Sequence, residues 1–90
     1  MKITYHNLTY NQIDTVLDET RHDIRKDGFT LEPSDGAYVS RKANGSYVPV
    51  CQVIRHGLRT GPTALFDLVV ETGYHPPVAK ALLKRVMEKV

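Results

Sequence analysis

Ninety residues, 41% hydrophobic and 24% charged, describe one compact domain over residues 1–90 and exclude the apolar poverty that keeps chains disordered. The formal charge of +2 is too mild to imply a nucleic-acid binder by itself, since such domains concentrate basic residues on one face. Apolar stretches fall far below the roughly 18 residues that span a bilayer, the opening MKITYHNLTY lacks the apolar run of a secretory signal, and the single cysteine, Cys51, forbids an internal disulfide, so a soluble cytoplasmic protein is expected.

Lys2 to His6 alternates, with Ile3 and Tyr5 on one side, as a short strand does. Leu8, Thr9, Gln12 and Ile13 then fall at N′, N-cap, N3 and N4 of a helix. Thr9 and Gln12 can exchange capping bonds while Leu8 packs on Ile13. Ile13, Val16, Leu17 and Ile24 continue one apolar stripe until Gly28, which suits the left-handed position after Asp27.

From Phe29 to Val53 the period drops toward two, and Asn44-Gly45 is the pair that a two-residue type I′ turn requires. That turn sets Val39 opposite Val50 and Lys42 opposite Tyr47, while Pro49, lacking an N–H, marks an edge or a strand end. Residues 50–56 read as the start of a short helix. Gly57, Gly61-Pro62 and Gly73 with Pro76-Pro77 punctuate the remainder into helices near 62–72 and 77–89. The expected fold is α+β: a capped N-terminal helix, a small antiparallel sheet with an Asn-Gly hairpin, and two or three packed C-terminal helices.

Gly73 and the prolines after it fit the corner of a helix-turn-helix, with Val69, Ala79 and Leu82 as its buried positions. The reading positions fit less well. Only His75, Lys80 and Lys84 can approach DNA, and lysines of this kind contact phosphate without specifying sequence. On helical spacing, residues 64–70 cover most of a circumference with apolar side chains, and 78–90 about half of one. So much apolar surface in so short a chain predicts a patch left for a partner.

Residues 46–90 carry six Lys/Arg against three Asp/Glu, and residues 1–45 six against seven. Arg55, His56 and Arg59 form the densest basic cluster, suited to a phosphate or a partner's acidic patch. Asp18 and His22, one turn apart on the first helix, offer two metal ligands without a third. Cys51 and His56 stand five apart and share no helix face, so Cys51 reads as a core residue. No Gly-rich phosphate loop or Gly-x-Ser-x-Gly elbow is present, and no acid and base are seen to face each other.

The expected function is therefore that of a small non-enzymatic binding protein, of the kind phages and mobile elements carry. It regulates or inhibits a macromolecular partner, or self-associates, by surface contact, with no cofactor, metal, membrane or small-molecule substrate. Leu65, Phe66, Val70, Leu83 and Met87 are the expected apolar anchors, and Arg55, Arg59, Lys80, Lys84 and Arg85 a basic rim. The second reading is a DNA-binding transcriptional regulator with a helix-turn-helix at residues 62–89.

Overall fold

A computed structural model describes residues 1–57 and 61–89. The chain is α+β: one five-stranded antiparallel sheet and, among the described residues, two α-helices. The elements run β1 (Lys2–Thr9), α1 (Tyr10–Arg25), β2 (Glu32–Ser34), β3 (Ala37–Arg41), β4 (Tyr47–Arg55), β5 (Leu65–Glu71) and α2 (Pro76–Lys89). No helix among the described residues is long and apolar enough to cross a membrane.

The strands lie in the order β1-β5-β4-β3-β2. Strands β2 to β5 meander, each pairing with the next, and β1 closes the row by pairing antiparallel with β5. The chain must therefore travel from one edge of the sheet to the other between β1 and β2. Helix α1 makes that crossing: its 16 residues extend about 24 Å, against about 19 Å for four strand spacings.

The start of α1 follows the sequence closely. Thr9 caps it, with Gln12 N–H donating to Thr9 Oγ1 (3.2 Å) and Thr9 N–H donating to Gln12 Oε1 (2.9 Å). At the other end Phe29 N–H donates to Ile24 O (3.2 Å) and Gly28 N–H to Arg25 O (3.0 Å), with Gly28 at φ +77°. This pair of bonds is the Schellman closure, which needs a left-handed residue at the position Gly28 occupies.

Helix α2 runs antiparallel to α1 on the same side of the sheet. His75, just before α2, meets Phe29 edge to face at 4.7 Å, and Gln12 Nε2 donates to Lys89 O (3.3 Å) at the far end. Between helices and sheet lies the core, which includes Ile13, Val16, Leu17, Val50, Leu68, Val70, Val78, Leu82 and Val86.

Arg85 ties the helices together rather than standing free as a rim residue. It donates Nε to Asp23 Oδ2 (2.6 Å), Nη2 to Asp23 Oδ1 (2.8 Å) and Nη1 to Glu19 Oε2 (2.9 Å). The two-pronged bond from Arg85 holds the Asp23 carboxyl below its ordinary 3.8. A depressed native value means that the pair's stabilisation is complete above that ordinary value and is lost as the pH falls through the native one. Arg85→Met should therefore melt at a lower temperature than the parent at pH 7, and thermal melts taken from pH 7 to pH 2 should show the gap closing at the acid end.

Three expectations are corrected. Residues 65–71 form strand β5, not a helix, and residues 50–56 belong mainly to β4, so among the described residues one C-terminal α-helix stands where two or three helices were expected. β5 lies between β1 and β4 with both faces bearing apolar residues, and a strand of that kind reads as a continuous apolar run. The β3–β4 turn holds three residues, 43–45, between the bonds Lys42 N–H to Ser46 O (2.8 Å) and Gly45 N–H to Lys42 O (2.9 Å). Gly45 at φ +88° supplies the left-handed residue of a three-residue loop. The register moves accordingly, pairing Val39 with Pro49 and Arg41 with Tyr47. Pro49 sits within β4, but on the portion that β5 does not reach, so its missing N–H breaks no ladder on that side.

Candidate functional site

With both helices on one side, no covering layer lies on the opposite face of the sheet among the described residues. Side chains alternate along a strand, and because Leu68 and Val70 are buried toward the helices, Leu65, Asp67, Val69 and Glu71 take the other face. Pairing adds Gln52 opposite Val69 and Ile54 opposite Asp67 from β4, and Thr4 opposite Val69 from β1.

The regular pairing of β1 with β5 breaks between Tyr5 and Leu8, so that His6 and Asn7 together stand opposite Asp67. Asn7 takes φ +60°. A bulge of this kind bends its strand and re-aims a side chain. Here it sets His6 beside Asp67 while still returning Leu8 to the core, where it is buried against the helix side. From the other flank, His56 N–H bonds Leu65 O (2.8 Å), which makes His56 the diagonal cross-strand neighbour of Asp67.

Three side chains from β1, β5 and the end of β4 thus converge. His6 Nδ1 lies 3.0 Å and His56 Nε2 2.5 Å from the same atom, Asp67 Oδ1. The carboxylate side chain is only 15% exposed, against 65% for His6 and 42% for His56. Both imidazoles approach this one oxygen within hydrogen-bonding distance. Burial pushes the Asp67 carboxyl up, and the imidazoles of His56 and His6 together outweigh it, leaving the carboxyl below its ordinary value. Chemically, the cluster offers two imidazole nitrogens and one carboxylate oxygen at the surface of the uncovered face.

Beside the cluster the same face carries apolar side chains among polar ones. Ile54 is 44% exposed and has Val69 half-buried beside it on the neighbouring strand. Toward the far end, Ala37, Pro49, Gln52, Val69 and the exposed Tyr74 line a shallow depression of about 230 Å³. Lys2 and Glu71 stand at its border.

The residues expected to bind a partner are scattered rather than gathered. Val70 is fully buried, Phe66 and Leu83 pack against the core, and Leu65 lies half-buried on the uncovered face. Met87, 70% exposed, lies on α2 with the exposed Lys80 and Lys84, on the opposite side of the molecule from Leu65. Arg59 lies outside the described residues. Arg55 and Phe66 meet in a groove of about 490 Å³ beside Thr9 and Tyr10 at the start of α1.

The helix-turn-helix is absent because its first helix is β5, and His75, one of its reading residues, is buried at 5% exposure against Phe29. The Asp18–His22 pair gains no third ligand among the described residues, and Asp18 accepts from Arg21 Nη1 (3.0 Å). Cys51 is a buried core residue, as its neighbours Val50 and Val53 suggested. His6 and Asp67 went unnoticed in the sequence, because only the pairing of the first strand with the last joins them. No family model, curated protein or solved structure matches this chain.

Proposed function

We propose that the protein is a small binding protein that regulates or inhibits a protein partner, and that it docks through the uncovered face of its sheet. The observation that supports this reading is the exposure of Ile54 on the middle strand of a five-stranded sheet that carries both helices on its other face. An antiparallel sheet tolerates one solvated face when that face is polar. This one instead carries the apolar Ile54, Val69 and Pro49 around Gln52, with Lys2, Arg41 and Glu71 toward the margins, a mixture of apolar and polar groups that suits a protein interface. Tyr74 and Tyr47, both exposed, add the aromatic type enriched at such surfaces.

Site-specific cross-linking separates this face from the helix side. A photoreactive phenylalanine analogue at position 54 should yield a discrete cross-linked protein in cells of the native host, whereas the same analogue at Met87 should yield none. The reverse pattern would refute the docking face. Ile54→Arg should abolish the adduct formed by the analogue placed at Gln52 while changing stability by no more than about 0.5 kcal/mol, as expected for an exposed position.

A further inference from the structure

We infer that His6, Asp67 and His56 bind one divalent transition-metal ion of the zinc type, with a coordination position left open to solvent. The three donor atoms lie within 4.8 Å of one another. In a tetrahedral site with bonds of about 2.0–2.1 Å, ligand atoms stand about 3.3 Å apart. His6 Nδ1 and His56 Nε2, at 3.0 and 2.5 Å from Asp67 Oδ1, need to move outward by less than about 1 Å to reach that spacing. Both rings are exposed enough to do so, while the carboxylate is held in the sheet.

Two further features support a shared ion. Both nitrogens converge on one oxygen of a carboxylate that is only 15% exposed, so one ion between the three atoms would take the place of two contacts to that same oxygen. The second feature is the bulge: a non-glycine residue, Asn7, takes a left-handed conformation at φ +60°, and the result is to bring His6 to Asp67. Asparagine is among the non-glycine residues that take this conformation most readily, so the sequence supports the bulge that brings the imidazole to the carboxylate.

The donor set selects the ion. Two imidazoles with one carboxylate suit zinc, cobalt, nickel or copper, whereas calcium and magnesium require oxygen ligands in larger number. Because the three ligands come from three neighbouring strands, the ion would also pin the edge strand β1 to β5 and β4.

The test uses the full chain without a histidine tag, stripped with chelator, and titrated with zinc chloride by calorimetry and with cobalt chloride by visible absorption. One equivalent of zinc should bind, with a parallel rise in melting temperature, and cobalt should develop the intense visible bands of a four-coordinate site. His6→Ala and His56→Ala should each weaken zinc binding by more than roughly tenfold, the lower limit for losing even an outer-shell partner, while His22→Ala leaves it unchanged. Circular dichroism on each variant verifies the fold. A titration without a one-equivalent step, or a step for which either imidazole proves dispensable, overturns the site. Since the titration uses the isolated protein, its failure leaves the cross-linking outcome at Ile54 untouched.

Discussion

Leu68→Ala should lower the stability of the protein by about 3 kcal/mol, and with it the melting temperature by about 12–24 °C. Leu68 is fully buried on the helix-facing side of β5, with Tyr5 and Val53 as its cross-strand partners. Truncation removes its transfer energy and leaves a cavity that the flanking strands, fixed by their ladders, cannot close. For a 90-residue chain the whole stability amounts to about 5–13 kcal/mol, so the loss is a large fraction of it. Ile54→Ala supplies the contrast on the opposite face and should cost under about 1 kcal/mol. Equal losses at the two positions, measured by denaturant unfolding, would mean that the uncovered face is sealed in solution.

Cys51 should react with a soluble thiol reagent at pH 8 about a thousandfold more slowly in the native protein than in the unfolded chain. Burial raises the thiol from its ordinary 9.0 to about 12, against a smaller opposing effect of the Arg21 guanidinium. The thiolate is the reacting species, and three units of pKa remove it by that factor. The same shift has a consequence for stability. The native protein holds a proton that the unfolded chain releases between about pH 9 and pH 12, so this contribution is intact below the lower value and declines as the pH rises through the window. Ellman's reagent followed with and without denaturant measures the first effect. A native rate within tenfold of the unfolded rate would show that the core around Val50 and Cys51 opens far more readily than its burial implies.

Those two positions also show how unevenly the sequence discloses the structure. Helix α1 was legible to the residue at its start, because Thr9, Gln12 and the left-handed Gly28 are local signals that act within a few residues of one another. Strand β5 was misread as a helix for a physical reason: its apolar residues serve two surfaces, Leu68 and Val70 inward and Leu65 and Val69 outward, and a two-sided strand loses the alternation that identifies strands. The adjacent β-branched pair Val69-Val70 and the shortness of the segment between Gly61-Pro62 and Gly73 were the signals that favoured a strand. Misreading β5 also concealed the imidazole and carboxylate cluster. Asp67 on a helix has no relation to His6, whereas on β5 it is the bulge's partner. Even the hairpin register, off by one residue at Asn44-Gly45, exchanged which β4 residues face outward.

The position of β1 at the sheet edge, joined only to β5, carries a further consequence for how the protein is made. During synthesis β1 precedes the meander while its neighbour β5 follows it, so that pair cannot form until residue 71 has left the exit tunnel. The meander of β2 to β5 can assemble by successive local closures, whereas docking the opening segment demands the longest loop in the molecule and is the step that topology makes slow. Until then the growing chain displays an unpaired β5 margin, the surface on which premature association between nascent chains would begin.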